Sequence, residues 1–116
     1  MHMLEIGIVF LLLTALFGIL NLSAILKRKH TRQPIILLHG SAALLSLFVL
    51  IAYIAAGHFD YRLITSFILF VLAALGGLTM FTFDVQKKTI PRAILAGHPI
   101  LAVIAFGFLI AYFFNP

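Results

Sequence analysis

Long apolar runs alternate with short polar segments along the chain, and this pattern predicts four transmembrane helices. The runs cover residues 4–26, 34–56, 63–83 and 93–114. Each is close to the roughly 20 apolar residues that a helix needs to cross a bilayer. The connections are short, so neighbouring helices are expected to be antiparallel. The predicted fold class is an all-α integral membrane four-helix bundle, because helices satisfy their own backbone hydrogen bonds in lipid.

Composition supports this prediction and limits the chemistry. The chain has 116 residues, of which 64% are hydrophobic and only 9% are charged, so a single transmembrane domain over residues 1–116 is expected. A soluble domain carries about 25% charged residues. There is no cysteine, which excludes disulfides, iron–sulfur clusters and thiolate metal sites. No basic residue precedes the first apolar run and no small-residue cleavage site follows it, so a cleaved signal peptide is not expected.

The positive charges indicate topology rather than nucleic-acid binding. Although the net charge is +5, the basic residues are concentrated in two short loops, where they are Lys27, Arg28, Lys29 and Arg32 in the first and Lys87, Lys88 and Arg92 in the second. Cytoplasmic loops are enriched in lysine and arginine. We therefore predict that both loops are cytoplasmic and both termini lie outside. In a bacterial cell the termini would be periplasmic and the protein would lie in the inner membrane.

The third loop, residues 57–62, is predicted to lie on the outer face. Its one cation, Arg62, is offset by Asp60. Three tyrosines fall at the outer helix ends and are predicted to form an interfacial aromatic belt; they are Tyr53, Tyr61 and Tyr112.

The chain also contains an internal repeat. Residues 1–57 align without a gap on residues 60–116 with 13 identities in 57 pairs, including Gly18 on Gly77 and His39 on His98. Leu-Ile-Ala-Tyr at 50–53 matches the same four residues at 109–112. We interpret this as a duplicated helical hairpin. Both copies would start outside, so the repeat is expected to be parallel, with a pseudo-two-fold axis along the membrane normal.

The repeat makes two histidines the main candidates for function. In such a bundle the second and fourth spans are parallel, and His39 and His98 can face each other at equal depth. Each lies five to seven residues from its cytoplasmic end, roughly 8–10 Å into the span at 1.5 Å per residue. Ionisable side chains inside a membrane are costly and point to function. The pattern favours bis-histidine ligation of one heme b.

Three groups of residues fit that hypothesis. Small side chains leave space for a porphyrin on the histidine faces; they are Ala42, Ala43 and Ser46 beside His39, and Ala102 and Ala105 beside His98. Glycines in the first and third spans lie near the histidine depth; they are Gly18, Gly76 and Gly77. Cations on the cytoplasmic side can bind heme propionates; they are Lys29, Arg32, Lys88 and Arg92.

Other interpretations of these residues stay open. The histidines could make a structural interhelical hydrogen bond, or serve another metal or proton chemistry. Zinc and copper are disfavoured because two histidines leave them short of ligands. The glycines also fit close helix packing, as in the pairs Thr14/Gly18 and Ala73/Gly77. No carboxylate lies at mid-membrane, which argues against a proton-coupled transporter and against the small multidrug resistance family.

Four membrane helices with histidines on parallel spans resemble b-type membrane cytochromes, especially the cytochrome b561-like superfamily. The resemblance rests on His39-Gly40, Gly97-His98 and their equal spacing. It implies heme b and electron transfer to or from quinone or a membrane redox partner, since two axial histidines leave no open iron site. Members usually hold two hemes, but the candidates for a second, His2 and His58, have no repeat partners, so one heme is favoured.

Two further expectations accompany the heme hypothesis. Each imidazole Nδ1 is expected to bond the carbonyl four residues earlier, at Ile35 or Ile94. Pro99 is expected to kink the fourth span or to mark its start. The alternative function is a cofactor-free accessory or assembly subunit of a larger membrane complex.

Overall fold

The structure, a computed structural model, describes residues 2–29 and 33–116 and confirms four helices. They are α1 (Met3–Leu26), α2 (Gln33–Ala55), α3 (Tyr61–Val85) and α4 (Arg92–Phe114). All four are long and apolar enough to cross a membrane. Arg32, predicted to bind a propionate, lies outside the described residues.

The surfaces of the helices are those of a membrane protein. Large apolar side chains are exposed on every helix, including Ile19 at 65%, Phe48 at 64% and Val103 at 71% exposure. A helix that is apolar on all sides is suited to a membrane rather than to water. Lipid therefore takes the place of a polar surface for most of the chain.

Helix α3 is longer at both ends than the apolar run predicts. Its N-terminus is capped by Asp60, whose side chain accepts a hydrogen bond from the backbone N–H of Arg62. The helix consequently begins at Tyr61, and Arg62 lies in its first turn rather than in the loop. Asp84 likewise lies in the last turn of α3. The predicted run was two residues too short at each end because it followed hydropathy and left Arg62 and Asp84 in the loops.

Pro99 does not mark the start of the fourth span. It lies inside α4, which is continuous from Arg92 to Phe114. As the eighth residue of α4, Pro99 lies beyond the first turn, so its missing N–H removes the helical hydrogen bond that residue 99 would make to the carbonyl of Leu95.

The chain forms two compact units, Met1–Tyr53 and Ile54–Pro116. In the first, α1 packs on α2, and Gly7 approaches Val49 so closely that an added Cβ would lie 3.1 Å from Val49 Cγ1. In the second, α3 packs on α4, and the hydroxyl of Ser66 donates to the carbonyl of Ala105 at 2.7 Å. Both pairs show that small side chains let the helix backbones approach, as is common in membranes.

Equivalent positions are buried in the two units. Leu4 aligns with Leu63 in the repeat, and the two are 7% and 0% exposed. Leu50 aligns with Leu109, and these are 3% and 0% exposed. Gly7 aligns with Ser66 and Ser46 with Ala105, and all four residues are buried. These four aligned pairs are thus buried in both hairpins.

Candidate functional site

His39 is held between α1 and α2 within the first unit. It is the seventh residue of α2, about 9 Å from the helix start at 1.5 Å per residue. Its side chain is half-buried, and Nδ1 lies 2.8 Å from the carbonyl oxygen of Thr14 on α1.

His98 has the same environment within the second unit. It is the seventh residue of α4, and it too is half-buried. Its Nδ1 lies 2.7 Å from the carbonyl oxygen of Ala73 on α3. Thr14 aligns with Ala73 in the repeat, as His39 aligns with His98, so each hairpin makes the same contact with its own residues.

These bonds differ from the sequence-based expectation that each Nδ1 would contact its own helix at Ile35 or Ile94. The acceptor is instead a carbonyl of the neighbouring helix. In an α-helix the carbonyl of residue i already accepts from the N–H of residue i+4, and here residue i+4 is Gly18 or Gly77. Because glycine has no Cβ, the carbonyl stays accessible to a second donor.

The distances around these glycines are short. A Cβ added at Gly18 would lie 3.0 Å from Cε1 of His39, and one added at Gly77 would lie 3.0 Å from Cε1 of His98. At the adjacent Gly76, by contrast, the nearest atom would be Cβ of His98 at 3.8 Å, which is an ordinary contact. Gly18 and Gly77 therefore provide the space that each imidazole occupies.

The hydrogen bond to the carbonyl determines which nitrogen of each imidazole carries the proton. A carbonyl oxygen can only accept, so Nδ1 must carry the proton. In a neutral imidazole Nε2 then carries the lone pair, which is the form that ligates a metal. A carbonyl bond to the other ring nitrogen also orients a ligating histidine and raises its basicity.

The other predicted site residues are placed as follows. Ala42, Ser46 and Ala105 are buried, and Ala43 and Ala102 are half-buried. The cations Lys29, Lys88 and Arg92 are exposed, with Arg92 the first residue of α4. Within the described residues no group of three or more His, Cys, Asp or Glu side chains is arranged to hold a metal ion.

The two candidates for a second heme have different settings. His2 is the N-cap of α1, and its backbone N–H donates to the Glu5 carboxylate at 3.2 Å. His58 lies in the segment between α2 and α3, in the second unit. In the repeat His2 aligns with Tyr61, so the two histidines do not form a second pair of equivalent positions.

A polar cluster around Arg62 was not anticipated in full from the sequence. The predicted pairing with Asp60 is present, with guanidinium–carboxylate distances of 3.0 and 2.9 Å. Arg62 also donates to the carbonyls of Ala111 at 3.3 Å and Asn115 at 2.9 Å, at the C-terminus of α4. Its guanidinium lies 5.4 Å from the ring centre of Tyr112. Tyr112 is only 8% exposed, so most of its side chain packs within the hairpin, and the interfacial belt stays a prediction.

This cluster predicts acid sensitivity where the start of α3 meets the end of α4, opposite the loop that connects the two helices. The Arg62 side chain and backbone N–H lower the pKa of Asp60 below its usual value, which is about 3.9. A depressed carboxyl pKa contributes stability above the unfolded-state value, and that contribution is lost as pH falls through the folded-state value. Below about pH 4 we therefore expect the last turn of α4 to lose protection, so that its amide hydrogen exchange becomes faster relative to the intrinsic rate at the same pH.

Asp60→Asn is the matched control for this effect. At neutral pH its protection from exchange in the last turn of α4 should be lower than that of the parent protein, and this protection should not fall further in acid. An unchanged acid response in Asp60→Asn would contradict the assignment to this carboxylate.

Comparison with known proteins identifies no relative of this chain. No family model, curated protein or solved structure matches the chain. The functional interpretation therefore depends on the site itself.

Proposed function

We propose that this chain is a membrane b-type cytochrome in which His39 and His98 are the axial ligands of one heme b. The observation that carries the proposal is the repeated ring bond: Nδ1 to Thr14 O at 2.8 Å and Nδ1 to Ala73 O at 2.7 Å. Bis-histidine ligation of a heme iron needs two imidazoles that each offer a ring nitrogen lone pair. Each hairpin supplies one.

The duplicated hairpin supports this proposal. Histidines, carbonyl acceptors and glycines all recur at aligned positions of the two repeats. A purely structural hydrogen bond is one use for such a pair. However, a ring that is oriented by Nδ1 and has its lone pair on Nε2 is also the arrangement that metal-ligating histidines adopt.

The donor set fits heme better than it fits an isolated transition metal. Two neutral imidazoles are sufficient for the axial positions of a porphyrin iron, whereas zinc and copper usually take three or four protein ligands. When bound, heme supplies a one-electron iron couple. The protein would orient the two rings, exclude water from them and place cations such as Arg92 where the chain meets the polar boundary.

Electron transfer is the function that follows. Bis-histidine ligation closes both axial positions, so oxygen activation is not expected. Glu5, Asp60 and Asp84 all lie in or next to a terminal turn of a helix, and catalysis by an acid or base within the membrane is not part of the proposal. The partner would be quinone or a membrane redox complex. By the positive-inside rule, the heme would be nearer the cytoplasmic side and both termini would lie outside.

The visible spectrum of the purified protein tests the proposal. Protein expressed with ample heme should be red, with a Soret band and a sharp α-band after dithionite reduction. Pyridine hemochrome analysis should give one heme b per chain. A colourless protein under these conditions would contradict the proposal and favour the cofactor-free accessory subunit.

A further inference from the structure

Helices α1 and α3 end in the same C-terminal motif. In α1 the backbone N–H of Lys29 donates to the carbonyl of Ala24 at 2.9 Å, and that of Arg28 donates to Ile25 at 3.1 Å. This pair of bonds is a Schellman motif. In α3 the bonds from Lys88 to Phe83 and from Lys87 to Asp84 have the same lengths, 2.9 and 3.1 Å.

The residue at the turn of each motif is a cation instead of glycine. Arg28 and Lys87 both have φ of 55°, in the left-handed region where glycine is strongly preferred. Two equivalent positions thus carry backbone strain in order to hold a basic side chain. Residues kept in strained conformations point to function when the surrounding structure fixes them.

Helix-dipole stabilisation alone does not explain the choice of residue. A cation near a helix C-terminus is favourable, but Lys29 and Lys88 at the next position supply that charge without positive φ. Topology also needs only basic residues near the span ends. Neither requirement selects a cation at the strained position itself.

The surroundings of both cations fit the boundary of a lipid bilayer. The last residues of the two helices, Leu26 and Val85, are apolar and are 68% and 59% exposed. Arg28 and Lys87 follow two residues later and are themselves exposed. Each helix end thus presents an apolar contact for an acyl chain and then a cation at headgroup level.

We infer that Arg28 and Lys87 each bind the phosphate of an anionic phospholipid headgroup. Juxtamembrane cations attract anionic lipids, and the exposed Leu26 and Val85 favour a lipid over a soluble phosphate. The α1 site should be the stronger, because Lys27 precedes Arg28 whereas Gln86 and the carboxylate of Asp84 lie in the corresponding segment of α3. The inference does not depend on heme.

The test compares thermal unfolding in nanodiscs of phosphatidylcholine alone with nanodiscs that also contain phosphatidylglycerol. The variant is Arg28→Gly with Lys87→Gly, which removes both charges and relieves the strain. In phosphatidylcholine its Tm should equal or exceed that of the parent protein. The rise in Tm that phosphatidylglycerol gives the parent should fall by more than half in the variant, with Arg28→Gly accounting for the larger share.

Lys29→Gln with Lys88→Gln removes the same charge at adjacent, unstrained positions and should keep most of the rise. An equal loss in this control would overturn the inference in favour of a diffuse surface charge. A full rise retained in the glycine variant would also overturn it. Stabilisation of the parent in phosphatidylcholine by inorganic phosphate at constant ionic strength would identify a soluble anion as the ligand instead of a lipid.

Discussion

Replacing either His39 or His98 with alanine is expected to abolish the low-spin heme spectrum. In the proposed complex each imidazole would supply one of the two axial bonds, and the structure holds each ring by a bond to a carbonyl at 2.8 or 2.7 Å. Loss of one ring would leave the heme with one protein ligand or would prevent its binding. The sharp reduced α-band and the low-spin electron paramagnetic resonance signal should both disappear in each variant.

His58→Ala is the control for these substitutions. His58 lies between α2 and α3, outside both histidine–carbonyl contacts, and its replacement should leave the spectrum and the heme content unchanged. A six-coordinate spectrum that survived in His39→Ala or His98→Ala would place the axial ligands elsewhere in the chain. Far-ultraviolet circular dichroism should show the same helix content in all three variants, so that a spectral change is not attributed to misfolding.

The helices were predictable because their main determinant is local. Apolar runs of spanning length predict all four helices, with α4 found at Arg92–Phe114 against a predicted 93–114. The error at α3 came from side-chain interactions that hydropathy does not include. Asp60 caps the helix, and Arg62 donates hydrogen bonds to the carbonyls of residues 111 and 115. These polar contacts let α3 begin two residues before its apolar run.

The site was predictable only in part, because its contacts join two helices. The self-alignment paired the two histidines with each other and the two glycines with each other. It could not show that each ring bonds the backbone of the preceding helix. A signal for this exists in the sequence. The residue whose carbonyl accepts the bond, the glycine four positions later and the histidine of the next helix recur at equal spacing. They are Thr14, Gly18 and His39 in the first repeat and Ala73, Gly77 and His98 in the second. That spacing becomes meaningful only when the helix pairing is known.

Adding a methyl group at Gly77 is expected to displace the His98 ring, whereas the same change at Gly76 is not. The new Cβ would lie 3.0 Å from Cε1 of His98 in the first case and 3.8 Å from its nearest neighbour in the second. Overpacking of this kind costs about 1–3 kcal/mol. Both variants gain the same helix propensity, about 1 kcal/mol. The difference between their free energies of unfolding therefore measures the cost of the contact between the new methyl group and the His98 ring.

In the proposed cytochrome, the same displacement should alter the heme through the Nδ1 bond. If the imidazole of His98 moves away from Gly77, its bond to the Ala73 carbonyl lengthens, the ring loses its orientation, and its basicity falls. A less basic axial ligand stabilises the oxidised iron less, so the midpoint potential of Gly77→Ala should be higher than that of the parent, or the heme content should fall. Gly18→Ala should act in the same way through His39 and Thr14.

Gly40→Ala is the control next to His39, since no atom lies within 4 Å of its added Cβ. Equal potentials and heme contents in Gly18→Ala, Gly77→Ala and Gly40→Ala would show that the glycines do not position the ligands, because only the first two substitutions crowd an imidazole.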